Sequence, residues 1–142
     1  MVRLEDGIEA FTKAVRDHRL GSIRAAEPRE VATAEAGLSA FTKALQAWYL
    51  QASPVGVAVP WAVEEMTFFG VEELHQAQAG YRWNADDESE RSPGWDPAWV
   101  VIATASGDPV IAHIDSTDTP VSLAMHGTGS WRPVQIAPDL GT

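Results

Sequence analysis

Three groups of residues in this chain have side chains that could act on a ligand: histidines beside aspartates, serines near histidines, and a run of acids. His113 and Asp115 stand two apart, the spacing that puts both side chains on one face of a strand. With His126 at a neighbouring strand end they would form an imidazole–carboxylate set of the kind zinc accepts. No His-Glu-x-x-His or similar ligand spacing accompanies them, so the expectation is no metal. Ser106, Ser122 and Ser130 could serve as nucleophiles, but none sits in a Gly-x-Ser-x-Gly elbow, and no catalytic residue is assigned. Gly127-Thr128-Gly129 lacks the third glycine and the Lys-Ser/Thr pair of a phosphate loop. It reads as a tight turn, and no cofactor is expected. Asp86, Asp87, Glu88 and Glu90 lie in a stretch rich in serine and proline. A solvated run of that kind does not desolvate a carboxylate for acid–base work. What remains for these acids is charge presented to a partner.

The elements that would position these residues can be read from periodicity. Leu4, Ile8, Phe11 and Val15 line one helix face, and the helix is expected to stop near Gly21. Glu27-Pro28 starts a second helical stretch that runs to about Gln51, with a break expected at Gly37 and a fresh cap at Ser39. Val55, Val57 and Val59 alternate with small residues and stop at Pro60, as a short edge strand does. Val71 to Gln78 reads as a short helix closed by Gly80, and Asn84 to Pro97 as a surface loop without periodicity. Trp99 to Thr104 is a continuous apolar run of strand length. Ser106-Gly107-Asp108-Pro109 is turn chemistry at each position, with the Asp108 carboxylate expected to accept backbone N–H bonds. Strands over Val110–Ile114, Val121–Met125 and Trp131–Ile136 follow, joined by short turns, so an antiparallel meander is expected. Gly7-Ile-Glu-Ala-Phe-Thr-Lys-Ala-Val echoes Gly37-Leu-Ser-Ala-Phe-Thr-Lys-Ala-Leu, but no third copy exists to make a solenoid. Helices first and strands later define an α+β class: N-terminal helices packed on a mostly antiparallel sheet from the C-terminal half.

Composition narrows the function. The 142 residues suit one domain, 1–142, and 45% of them are apolar. The absence of cysteine removes disulfides and thiol chemistry and suits a cytoplasmic setting. No run approaches the ~18 apolar residues of a membrane span, and the charged start, Met1 to Asp6, is expected to carry no secretion signal. Residues 84–142 hold nine acids against two bases, Arg91 and Arg132, a net charge of −7. That half should repel nucleic acid and attract a basic protein. Six tryptophans are many for this length. Trp48 and Trp99 read as core. Trp83, Trp95 and Trp131 stand beside turns, where an indole either supports the rim or anchors a partner.

Several stretches together resemble the SUKH superfamily, in particular its branch named after the yeast cell-wall assembly regulators. They are Gln78-Ala-Gly-Tyr-Arg-Trp83, Trp99-Val-Val-Ile-Ala, Gly107-Asp108-Pro109-Val-Ile-Ala, and Val121 through His126-Gly127-x-Gly129-x-Trp131-x-Pro133. The resemblance spans about residues 27–140. It implies an α+β domain with helices packed on a mostly antiparallel sheet, and it implies neither catalysis nor a cofactor. Many of its bacterial members are immunity proteins that bind and block a cognate toxin, and its fungal members regulate through protein contacts. The chain departs from the pattern at His113, where such sequences are more often acidic. It departs again after Leu140, where they usually continue into a final helix.

The reading that follows is a toxin-neutralising immunity protein in the cytoplasm with a basic toxin as partner. The alternative is a regulatory protein-interaction domain. Partner contact is expected at Asp86, Asp87, Glu88, Glu90, Trp83, Trp95, His113, Asp115 and Asp118. Neither nucleic acid nor membrane is expected as a partner. Apolar surface near Val134 and Ile136 is expected to be exposed, and with it a homodimer.

Overall fold

The computed structural model describes residues 3–61, 64–125 and 131–142. The four-three-four spacing at the start produces α1 (Leu4–Asp17), which buries Ile8 and Val15. It ends earlier than Gly21, because Ser22–Arg24 form a short strand, β1. α2 (Pro28–Gly37) begins at the expected proline, and the Glu30 carboxylate accepts the Glu27 N–H at 3.0 Å. The break at Gly37 is present, and α3 (Lys43–Ala52) starts afresh. Its cap is Thr42 rather than Ser39. Thr42 Oγ1 accepts the Leu45 N–H at 3.1 Å and meets Thr119 Oγ1 at 2.6 Å, so the cap also ties the helix to a distant loop.

β2 (Ser53–Val55) pairs with β1 in a two-stranded ribbon. Gly56, at φ +61°, turns the chain into β3 (Val57–Trp61), and β4 (Glu64–Phe68) runs back beside it. A single 3-10 turn over Val71–Glu73 leads into α4 (Leu74–Ala77). β5 (Trp83–Asn84) and β6 (Asp87–Arg91) form a hairpin. β7 (Trp99–Ala105), β8 (Asp108–His113), β9 (Val121–Leu123) and β10 (Val134–Ala137) complete the chain. Six strands pair in the order β10-β9-β8-β7-β4-β3, each antiparallel to its neighbours. The fold is α+β, with N-terminal helices and a mostly antiparallel sheet. The sheet also takes in residues 57–68, and β3 is an edge strand, where Pro60 costs no interior ladder bond.

Two loop expectations are corrected. Residues 87–91 are a strand rather than part of a loop. All five residues of this strand are exposed and none is apolar, so no apolar alternation reveals it. The turn after β7 is Ser106-Gly107 alone, with φ of 54° and 83°. Positive φ at both positions is what a two-residue type I′ hairpin loop requires, and Asp108 and Pro109 are already in β8, paired with Ala105 and Thr104.

The register of β7 slips between Val101 and Ala103, a bulge at Ile102. Val100, Ile102 and Ala103 therefore join the helix-side core with Val31, Leu45, Trp48 and Tyr49. Val101, Ile111 and Ala124 pack on the other side under Trp95. Gly7 sits mid-helix because a Cβ there would collide with the Gly141 backbone, so the C-terminal segment lies directly on α1. As expected, Val134 and Ile136 at the β10 edge are exposed, at 67% and 40%. No helix among the described residues is long and apolar enough to cross a membrane.

Two stability predictions arise here. The Tyr49 hydroxyl is fully buried and has no hydrogen-bond partner among the described residues. Desolvation raises its pKa, and the Glu72 charge adds to the effect. Tyr49→Phe removes a polar group with an unmet bond and should stabilise the fold by about 1 kcal/mol. The check is a higher urea midpoint at unchanged slope.

Glu30 and Glu72 both grip the Arg24 guanidinium, at 2.6 and 2.7 Å. Arg24 holds the Glu30 carboxyl down to about 2, helped by the Glu27 N–H. A depressed carboxyl contributes stability that is present above its ordinary value of 4.5 and lost as the pH falls towards 2. Glu30→Gln should flatten that part of an acid-unfolding profile and leave the profile above pH 5 parallel to wild type.

Candidate functional site

The segment after α4 covers an edge that the sheet leaves open. β4 accompanies β7 only from Ala105 to Ala103, and the ladder closes with the Phe69 N–H to Ile102 at 3.0 Å. Beyond that point side chains replace the missing strand. Gln78, fully buried, donates through Nε2 to Leu74 O at 2.8 Å and Val101 O at 3.0 Å, and its Oε1 accepts the Val101 N–H at 3.0 Å. Four residues on, Arg82 donates to Trp99 O at 3.0 Å and Pro97 O at 2.7 Å. Gly80, at φ +85°, donates its N–H to Trp83 O at 2.8 Å and reverses the chain. Burial lowers the Arg82 pKa, the nearby Arg91 charge lowers it further, and Asp96 opposes both.

This clamp carries the β5–β6 hairpin. Trp83 is 3% exposed; its ring lies 4.9 Å from the His75 imidazole, and the Arg91 guanidinium lies 5.1 Å over it. His75 Nε2 meets Glu88 Oε1 at 2.8 Å, while Asn84 Nδ2 donates to Glu90 at 3.2 Å. Hydrogen bonds from Ser89 hold the Asp87 carboxyl below its ordinary value. Asp86, Asp87, Glu88 and Glu90 are all exposed. The structure therefore gathers these four carboxylates on one short, anchored ribbon.

The sheet face opposite the helices carries an aromatic cluster. Trp95 meets Trp99 at 5.3 Å and Trp131 at 5.5 Å, both edge to face, and Tyr81 meets Trp131 at 5.8 Å. Trp95 Nε1 donates to Trp99 O at 3.2 Å, and the Tyr81 hydroxyl donates to Gly107 O at 2.6 Å. Desolvation raises the Tyr81 pKa, as does the charge of Asp108. Trp83 and Trp95, expected as partner anchors at loop edges, are instead buried in the free chain. Trp83 packs against the His75 ring and the Arg91 guanidinium, and Trp95 packs on Val101, Ile111 and Ala124, so they support the surface rather than form it. Tyr81, Trp99 and Trp131 keep partial exposure.

His113 ends β8 with Nε2 2.8 Å from Ser122 Oγ on β9, its ring 6.2 Å from Trp99. Burial lowers its pKa, while Asp115 and Asp96 act in the opposite direction. Ser122 is 4% exposed, so this contact is strand-to-strand packing rather than an open nucleophile. Among the described residues no three histidines or carboxylates converge on a metal position. His126, Gly127, Gly129 and Ser130 lie outside the described residues.

Asp115 stays near His113. Asp118 instead lines a crevice with Arg3, Leu4, Ala44 and Asp139, apart from the hairpin acids around His75. The roles of Gln78 and Arg82 were not evident in the sequence. The available signal was two hydrogen-bonding side chains four apart around a glycine, next to an apolar stretch.

No protein-family model, no curated protein and no solved structure matches this chain.

Proposed function

We propose that this chain is a non-enzymatic immunity protein that acts in the cytoplasm by binding and occluding a basic toxin domain. One observation carries the reading. Four exposed carboxylates stand on a hairpin that Trp83, His75 and the Arg82 clamp hold in place, within a half of the chain whose net charge is −7. A preset negative ribbon favours encounter with a positively charged face. The half-exposed Tyr81, Trp99 and Trp131 supply apolar contact that charge alone does not. The resemblance of Gln78–Trp83 and the β7–β8 run to the SUKH superfamily points to the same kind of partner.

The test is to express the chain with the toxin domain encoded beside its gene. Rescue of growth and a purified one-to-one complex support the reading. If no neighbouring product binds, the regulatory protein-interaction reading takes its place.

A further inference from the structure

A cavity of about 260 Å³ opens between the α2–α3 connection and the end of the hairpin, lined by Gly37, Ser39, Arg82, Arg91, Ser92 and Pro97 among others. None of its lining residues is acidic, in a chain with twenty acids and ten lysines and arginines. Arg82 is 7% exposed, and among the described residues its guanidinium donates to the carbonyls of Pro97 and Trp99 and makes no ion pair. Arg91 is exposed; its guanidinium stacks on Trp83 and has no ion pair among the described residues. Carboxylates of the hairpin and of the segment after it have other hydrogen-bond partners. Glu88 is bonded to His75, Glu90 to Asn84, Asp87 to Ser89, and Asp96 accepts the Ala98 N–H.

We propose that this cavity is a carboxylate-binding subsite, in which Arg91 and Arg82 receive one acidic group from a protein partner. Two guanidinium groups that line one cavity and make no ion pair among the described residues gain from a planar anion that accepts from both. The hydroxyls of Ser39 and Ser92 can donate to the same group. Part of the guanidinium desolvation is already met by folding, so a carboxylate entering here gains more than one at a hydrated surface. The acidic ribbon selects a basic partner. This subsite adds a single point of opposite sign, and that sets the register of docking. The inference concerns the free protein and does not depend on the partner being a toxin.

The test titrates ¹⁵N-labelled protein at constant ionic strength with three probes: N-acetylglutamate α-amide, N-acetylglycine and inorganic phosphate. The expected result is saturable shifts of the Arg91 side chain and the Ser39 and Ser92 amides with one or both carboxylates. Arg91→Gln, at an exposed position, should weaken that binding at least tenfold while the remaining spectrum stays in place. Tighter binding of the glutamate amide identifies a side-chain carboxylate as the occupant, and tighter binding of N-acetylglycine a chain end. Saturation by phosphate alone, no saturation by either carboxylate, or unchanged binding in Arg91→Gln each overturns the proposal.

Discussion

Replacing Gln78 with leucine should destabilise the protein by about 3–4 kcal/mol. The two residues are of similar size, so little volume changes, but the Val101 N–H and C=O and the Leu74 carbonyl all lose their partner. Each buried backbone group left unsatisfied costs about 1–3 kcal/mol, and β4 does not extend far enough along β7 to take over. Gln78→Glu separates hydrogen bonding from packing. Its carboxylate still accepts the Val101 N–H, but it places a charged oxygen against two carbonyls. That variant should be the weaker one at pH 7 and recover as the pH falls and the carboxyl protonates and donates. Urea melts of both variants at two pH values give the answer. A loss below about 1 kcal/mol for the leucine variant would mean that water satisfies Val101 and that the amide clamp is dispensable.

Reversing all four hairpin acids, Asp86, Asp87, Glu88 and Glu90, to lysine should slow association with a basic partner by about tenfold or more at low salt. The dissociation rate should change less, because exposed charges steer encounter more than they hold a complex. Salt should erase most of the difference, since the Debye length is about 10 Å at 0.1 M and shorter above it. The fold should survive the change, because Glu88–His75 is an exposed pair and such pairs contribute about 0–1 kcal/mol. Stopped-flow or surface-plasmon kinetics at two salt concentrations measure this. A wild-type association rate that ignores salt, or a variant that associates as fast as wild type, removes the electrostatic part of the proposed function.

The sequence alone determined the elements whose burial is one-sided or complete. Leu4, Ile8, Phe11 and Val15 specify α1 because one face must leave water. Trp99–Ala105 and Val110–Ile111 specify the central strands because both faces are covered. From these, the order of helices before strands and the α+β class follow. The negative charge of the C-terminal half, and with it the four acids at 86–90, is likewise a property of the sequence. Tertiary structure decided what periodicity cannot encode. The β5–β6 hairpin is held through Trp83 of β5, which packs against His75 and Arg91, and not through any alternation in β6, whose residues are all exposed. The tryptophans at 83 and 95 read as rim support or as partner anchors, and only their packing, Trp83 against His75 and Arg91 and Trp95 on Val101, Ile111 and Ala124, decided that they are buried. Gln78 and Arg82 stand four apart in a segment that shows nothing of a partner. Their function as substitute strand partners depends on where β4 leaves β7, and that is set by the bulge at Ile102 and the turn at Phe69. A hydrogen bond to a backbone group fifteen or more residues away is a contact between elements, so it appears only once the elements are in place.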